Sequence, residues 1–104
     1  MPSKDGRSTE QEIGKAVLRY LGSIPKGEAT ILEIKRHLAK HFPLTAADQE
    51  QSETRPNEEM WEQQVRNLVS HRTSADNLIN DGLLSYRPRR LAITDAGRLW
   101  LKRG

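Results

Sequence analysis

The chain has 104 residues, of which 30% are charged and 35% hydrophobic, with a formal net charge of +3 and no cysteine. This length suits one domain with one modest core, and the lack of cysteine excludes disulfides and thiolate metal sites. No apolar run approaches the ~20 residues of a membrane-spanning helix, and residues 1–9 lack the hydrophobic stretch of a signal peptide. We therefore expect a cytoplasmic protein with no membrane partner.

A polar tail and a capped helix open the chain. Residues 1–9 are predicted to form a flexible tail ahead of a single domain over residues 10–104. Thr9 and Glu12 have the spacing of a capping box, and apolar residues recur at helical intervals after them. This pattern predicts a first helix over residues 10–23.

A second capping box follows at Thr30 and Glu33. The apolar residues after it again recur at helical intervals, so we predict a second helix that ends before Pro43. Residues 28–30 leave room only for a short strand or an extended link. Residues 43–57 are rich in Gln, Glu, Ser, Thr and Asp and are predicted to be an exposed polar connector.

Residues 58–81 carry the third helical pattern. Glutamates in its first turns suit the positive end of a helix, and apolar residues follow at helical intervals. Residues 70–74 are poor helix formers, so we predict either one long bent helix or two helices with a break at 70–74. The face opposite the apolar stripe carries side chains that match base edges and phosphates, namely Gln63, Arg66, Asn67, Ser70, Thr73, Ser74 and Asn77.

A hairpin and a terminal helix are predicted after Gly82, which is predicted to end the third helix. Gly82 is the residue type that adopts a left-handed conformation after a helix without steric cost. Residues 83–86 and 91–93 are short apolar runs, and Pro88 presets the turn between them. Thr94 offers an N-cap for the last helix. The order predicts an α+β fold, mostly helical, of the winged helix-turn-helix class, with a small two- or three-stranded antiparallel wing.

Charge is unevenly distributed along the sequence. The formal charge is −5 over residues 43–64 and +5 over residues 83–104. A field of one sign concentrated on one element attracts and orients an anionic partner. The predicted hairpin turn holds Arg87, Arg89 and Arg90, which favour contact with phosphate groups.

Three short motifs point to a known family. They are an aromatic residue that opens a helix, Trp61, a helix exit at residues 80–84, and the run 91–97 after a basic turn. Together they resemble the winged-helix module at the N-terminus of Mrr-type restriction endonucleases and, more loosely, the winged helices of bacterial transcription regulators. The resemblance covers roughly residues 10–102. In that family the module binds DNA and the nuclease is a separate downstream domain.

The resemblance implies a function and roles for individual residues. The function is non-catalytic binding of double-stranded DNA, as a small transcriptional regulator or as the target-recognition part of a restriction-type system. Asn77 becomes the candidate for reading a base. Groove or phosphate contacts are implied for Arg66, Ser70, His71, Arg72 and Thr73. Contacts to the adjacent backbone or minor groove are implied for Arg87, Arg89 and Arg90.

No catalytic constellation is evident in the sequence. Glu33, His37 and His41 fall on one face of a predicted helix, but a closed zinc site needs a fourth ligand. A solvated helix face with paired side chains is the simpler interpretation. Residues 33–35 match the last part of a metal-dependent nuclease signature, but that motif belongs on a strand beside an earlier acidic residue, whereas these residues begin a predicted helix. We therefore expect no enzyme activity, no metal and no cofactor.

The sequence leaves two further kinds of partner open, namely another protein and a second copy of this chain. The acidic residues 43–64 and the basic residues 83–104 would each suit a protein surface of opposite charge. This gives an alternative hypothesis, in which the winged helix mediates a protein–protein interaction. Leu99 and Trp100 suit a homodimer contact as well as a place in the core.

Overall fold

A computed structural model describes residues 6–52 and 55–103 of the protein. Four helices and three strands follow one another in this part of the chain: α1 (Glu10–Ser23), β1 (Glu28–Thr30), α2 (Ile31–His41), α3 (Met60–Ser70), β2 (Leu84–Arg87), β3 (Arg90–Ile93) and α4 (Asp95–Arg103). The fold is α+β with the element order of a winged helix, as the sequence predicted. None of the described helices combines the length and apolar character needed to cross a bilayer.

The predicted hairpin is part of a three-stranded antiparallel sheet in the order β1-β3-β2. Within the hairpin, which we call the wing, β2 and β3 are joined by the tight turn at Pro88 and Arg89. The central strand β3 also pairs with β1, where Ala29 lies opposite Leu91. Ala29, Leu84 and Leu91 are buried, so one face of the sheet packs on the helices.

The core joins the inner faces of α1, α2 and α3 to the sheet. Its side chains recur every three or four residues along the helices, the spacing of a single helix face. One further core residue comes from the segment between α3 and β2. The buried members are Ile13, Val17, Leu18, Leu21, Ala29, Ile34, Leu38, Trp61, Val65, Leu68, Leu78, Leu84 and Leu91.

Both predicted capping boxes are present. The Thr9 hydroxyl accepts from the Glu12 N–H at 3.1 Å, and the Glu12 carboxylate accepts from the Thr9 N–H at 2.8 Å. Thr30 and Glu33 make the same pair of bonds at 3.1 and 2.9 Å. The hydrogen bond that the Glu33 carboxylate accepts from the Thr30 N–H, together with the neighbouring Thr30 side chain, lowers the pKa of Glu33. The helix over residues 10–23 is confirmed, and α2 ends before the proline as predicted.

The segment after α3 differs from both predicted alternatives. α3 ends at Ser70, and residues 71–82 form a succession of turns rather than a helix. The Asn77 Oδ1 accepts from the backbone N–H groups two and three residues later, at 2.8 and 3.2 Å. Such a side chain competes with the backbone bonds of a helix. Gly82 has the predicted left-handed conformation, with φ of 81°, but it ends a turn rather than a helix.

The connector between α2 and α3 is not exposed throughout, contrary to the prediction. Asp48 is 1% exposed and Ser52 is 4% exposed. The Asp48 carboxylate accepts from the N–H and hydroxyl of Ser8, at 2.6 and 2.8 Å, and from the Thr45 N–H at 3.0 Å. This long segment stands where a simple helix-turn-helix has a short turn, and Asp48 anchors it to the start of the chain.

The same contacts hold part of the predicted flexible tail. Ser8 is 5% exposed. The Thr45 hydroxyl donates to the Gly6 carbonyl at 2.7 Å, 39 residues away in sequence. Residues 6–9 are therefore fixed against the connector, and the tail prediction is wrong for them, while residues 1–5 lie outside the described residues.

α4 packs closely on the base of the wing through Gly97. The Thr94 hydroxyl accepts from the Gly97 N–H at 3.0 Å, which confirms the predicted N-cap, and it donates to the Leu83 carbonyl at 3.1 Å. Gly97 is buried. A side-chain carbon here would overlap the Leu83 carbonyl oxygen and lie 2.8 and 3.0 Å from Ile93 and Leu18 atoms. Only glycine allows this approach.

Candidate nucleic-acid interface

A groove of about 450 Å³ lies between α2, α3 and the wing. We call it the basic groove because four of its lining side chains are cations and one is a carboxylate. The cations come from α2, the connector, α3 and the wing turn, so the tertiary fold brings them together. The lining residues are Ile31, Lys35, Arg55, Glu58, Val65, Arg66, Val69, Ser70, Tyr86 and Arg89. An apolar lining with a surplus of positive charge favours an anionic ligand that has an apolar part.

The three wing arginines differ in their contacts. Arg87 and Arg90 reach the two carboxylate oxygens of Glu28 on β1, at 3.4 and 3.2 Å. Their side chains are 75% and 51% exposed, and ion pairs of this kind contribute little to stability. Arg89 lines the basic groove, and none of the ion pairs found among the described residues includes it. Arg89 therefore presents the least neutralised charge of the turn.

The backbone of Arg89 is strained. Its φ is 65°, in the left-handed region that residues with a side chain rarely adopt. Pro88 has a fixed negative φ, so the two residues have the sign pattern of a type II turn, in which the second position usually holds Gly or Asn. The left-handed conformation costs about 1–2 kcal/mol for an ordinary residue. Strained positions of this kind cluster at functional sites.

Arg66 and Glu58 form an ion pair with two hydrogen bonds in the wall of the basic groove. Nε and Nη2 of Arg66 donate to the two carboxylate oxygens at 3.1 and 3.0 Å. The hydrogen bond from Arg66 lowers the pKa of the Glu58 carboxyl, although burial opposes the shift. The same bond raises the pKa of Arg66. The groove therefore holds a charged carboxylate at neutral pH, and this carboxylate partly neutralises the charge of Arg66.

Replacing Glu58 with glutamine should lower the free energy of unfolding by about 1–3 kcal/mol near neutral pH, because a hydrogen-bonded ion pair is lost. The pKa of Glu58 lies below its ordinary value of 4.5 in the folded protein. Its contribution to stability is therefore complete above pH 4.5 and disappears as the pH falls through the lower, folded pKa. Urea unfolding over this pH range should show the difference between Glu58→Gln and the unchanged protein shrinking with acidity.

The control for this experiment is Glu50→Gln. The Glu50 side chain is 63% exposed and only 3.8 Å from Arg7 at its closest, so its replacement should change stability little at any pH. A stability difference for Glu58→Gln that does not change between neutral and acidic pH would contradict the role of the ion pair.

The structure brings together only part of the predicted set of DNA contacts. Three members line the basic groove: Arg66, Ser70 and Arg89. Arg72 lies beside it, with its guanidinium carbon 5.1 Å from the centroid of the Tyr86 ring. Thr73 is exposed in the turns after α3. These residues, with the flanking Arg87 and Arg90, leave a cationic surface that extends from the end of α3 to the wing.

Asn77 and His71 join α3 to α1 instead of facing the basic groove. Asn77 is 1% exposed, and its amide donates to the Leu68 carbonyl at 2.9 Å and to Glu10 at 3.3 Å. A buried amide that bonds within the fold is not available to a base, so we withdraw Asn77 as the base-reading residue. His71 is exposed, and its Nδ1 lies 2.6 Å from Glu10 Oε1.

Lys35, Arg55 and Tyr86 also line the basic groove, and none of the three was predicted from the sequence. Lys35 lies on α2, 3.7 Å from Glu62 of α3, and Arg55 is exposed in the connector. Neither residue stands in a local pattern that predicts ligand contact. They become neighbours only because α2, the connector and α3 pack together, and this packing depends on contacts distant in sequence.

Most acidic side chains described in residues 43–64 contact other groups of the protein. Asp48 is buried by the start of the chain, and Glu58 and Glu62 contact cations of the basic groove. Glu59 accepts a hydrogen bond from the Trp61 indole at 2.8 Å. Much of the negative charge behind the protein–protein hypothesis is therefore engaged within the fold.

The histidines of α2 stack with an aromatic ring. The His37 ring centroid lies 4.0 Å from that of Tyr20 and 4.6 Å from that of His41. Burial, and secondarily the nearby His41, lowers the pKa of His37. Across residues 6–52 and 55–103, no three histidine, aspartate or glutamate side chains are grouped so as to hold a metal ion.

The end of α4 leaves one large apolar side chain in contact with solvent. Leu99 is 59% exposed. Trp100 is half-buried, with the Lys15 ammonium 5.9 Å from its ring centroid. The homodimer contact stays a prediction that depends on Leu99.

The element order and the sheet order define this chain as an α+β protein with a winged-helix-like fold. Comparison with protein-family models, curated proteins and solved structures finds no match for the chain.

Proposed function

We propose that this chain is a non-catalytic winged-helix module that binds double-stranded DNA with the basic groove and the wing. The observation that carries the proposal is the convergence of four cations on one concave surface: Lys35, Arg55, Arg66 and Arg89. Grouped lysines and arginines bind phosphates and release the counterions condensed on DNA. The motifs that resemble Mrr-type modules support the same class of ligand, in a transcriptional regulator or in the target-recognition part of a restriction-type system.

The wing supplies the phosphate contacts that position the duplex. Arg87 and Arg90 share the single carboxylate of Glu28, so both can exchange a weak surface pair for a phosphate oxygen at little cost. Arg89 has no ion pair to exchange among the residues that the structure describes. We therefore expect the wing to fix the orientation of the backbone, while the basic groove adds contacts next to it.

Replacing Arg89 with glycine should weaken duplex binding without unfolding the wing. Glycine accepts the φ of 65° freely. The strain of about 1–2 kcal/mol that is relieved exceeds or offsets the cost of the extra freedom of glycine, about 0.5–1 kcal/mol. Loss of one phosphate contact should reduce the slope of log affinity against log salt by about one. Fluorescence anisotropy with a labelled duplex over a series of salt concentrations measures both quantities.

The matched control is Lys102→Gly, which removes the same charge from α4. Lys102 lines a separate depression with Gly22, Arg98 and Leu101. Its loss should leave the salt slope nearly unchanged. Duplex binding that is absent, or that does not depend on salt, would contradict the proposed function. Equal losses in the two variants would contradict the assignment to the wing, because net charge alone would then explain binding.

A further inference from the structure

The outward side chains of α3 are largely engaged with other protein groups. The Gln63 carbonyl oxygen accepts from the Ser52 hydroxyl, and the Asn67 amide donates to Gln64 at 3.3 Å. The Arg66 guanidinium holds both oxygens of Glu58. Reading base edges in a major groove requires free donors and acceptors on such a helix. α3 therefore forms one wall of a concave surface and does not present a row of free polar groups to a duplex.

The concave surface has the chemistry of a site for a planar anionic ligand. The side chains of Ile31, Val65, Val69 and Tyr86 supply its apolar lining, and the cations lie among them. Its volume of about 450 Å³ falls in the range of small-ligand sites, about 300–1,000 Å³. A positively charged groove with an aromatic side chain is the arrangement that binds unpaired nucleotides by stacking.

The aromatic member of the groove is held in position by an arginine. The guanidinium carbon of Arg72 lies 5.1 Å from the Tyr86 ring centroid, a cation–π contact. Tyr86 is half-buried on β2, whereas Arg72 is exposed in the turns after α3. Both planar groups can stack on a base. The pair therefore makes a preformed stacking surface at the edge of the basic groove.

We infer that the basic groove binds one unpaired nucleotide of DNA, with its base against Tyr86 and Val69 and its phosphate at Lys35, Arg55 and Arg89. The inference rests on the proposed function and names the ligand of the same surface. A base within a duplex offers only its edges, because both of its faces are stacked. An unpaired base offers a face, and that is what the groove can cover. The nucleotide comes either from a single strand or from a base extruded from a duplex.

The test compares three DNA probes of one sequence by fluorescence anisotropy at fixed salt: a perfect duplex, the same duplex with a single-nucleotide bulge, and the single strand. We expect the protein to bind at least one of the two unpaired probes about tenfold more tightly than the perfect duplex, as one stacked base predicts. Preference for the bulge identifies an extruded base, and preference for the single strand identifies a continuous strand.

Two tyrosine variants separate stacking from folding. Tyr86→Leu keeps an apolar side chain but removes the ring, so it should abolish the tenfold preference for the unpaired probe over the perfect duplex. Tyr20→Leu is the matched control, because Tyr20 stacks on His37 outside the basic groove, and it should keep the preference. Thermal unfolding of both variants checks that each is folded.

The outcomes distinguish the inference from the proposed function. Salt-dependent binding in which the perfect duplex is bound as tightly as both unpaired probes would overturn the inference and leave DNA binding intact. An equal loss for all three probes in folded Tyr86→Leu would also overturn it. Absence of binding to every probe would overturn the proposed function as well.

Discussion

Replacement of Asp48 by alanine is expected to lower the free energy of unfolding by about 4 kcal/mol. The carboxylate is 1% exposed and accepts three hydrogen bonds, two from Ser8 and one from Thr45. A hydrogen bond to a charged group contributes about 1.5–3 kcal/mol, and donors left unsatisfied in a buried site add to the loss. Because small domains are stable by only about 5–15 kcal/mol, this change removes a large share of the total.

Urea unfolding followed by circular dichroism measures the effect. Asp81→Ala is the control, since Asp81 is exposed after α3. Its replacement should change the free energy of unfolding by no more than about 0.5 kcal/mol. In a second measurement, the backbone amide of Ser8 should lose protection against hydrogen exchange in Asp48→Ala, because its acceptor is gone. A loss no larger than that of the control would mean that the carboxylate does not anchor residues 6–9.

Replacement of Gly97 by alanine should lower the free energy of unfolding by about 3 kcal/mol, the upper end of the range for overpacked positions. The added carbon would overlap the Leu83 carbonyl oxygen, a backbone atom that also accepts hydrogen bonds from Thr94. It would lie only 2.8 Å from Ile93 as well. Neither the helix nor the wing can relieve the overlap by turning a side chain, so α4 must move away from the base of the wing.

Gly14→Ala is the matched control for this prediction. Gly14 is also a buried helical glycine, and an added carbon would lie 2.8 and 3.0 Å from the tips of Leu78 and Leu68. Leucine tips can rotate, and alanine gains about 1 kcal/mol of helix propensity over glycine. We therefore expect the free energy of unfolding of Gly14→Ala, measured by the same urea experiment, to change by less than about 1 kcal/mol. Similar losses in the two variants would contradict the argument about Leu83.

Local signals predicted the elements in which they stand. The capping boxes at Thr9 and Thr30 act across three residues, so the sequence contains both partners of each bond. The wing depends on Pro88 and on two adjacent apolar runs, and its register is therefore local as well. These parts of the fold were predictable because their stabilising contacts lie within one turn or one hairpin.

The errors at Asp48, Asn77 and Lys35 share one physical cause, which is contact between residues distant in sequence. Asp48 is buried because Ser8, 40 residues away, donates to it, and nothing in the connector itself predicts this. Asn77 is satisfied by Leu68 and by Glu10, which is 67 residues away, so a polar residue on an apparent surface face is in fact internal. The basic groove depends on the packing of α2, α3 and the wing. The place of Lys35 in its lining was therefore not predicted from the sequence.

The short strands of the sheet have a consequence for the behaviour of the protein at high concentration. β1 and β2 form the two edges and have only three and four residues. Long, flat edges offer unpaired amides and carbonyls to strands of other molecules, whereas short or charged edges do so poorly. β1 leads directly into a helix, and β2 ends at Arg87 before a proline, which has no amide proton to donate. We therefore expect concentrated solutions to resist amyloid-type aggregation even when added salt screens the surface.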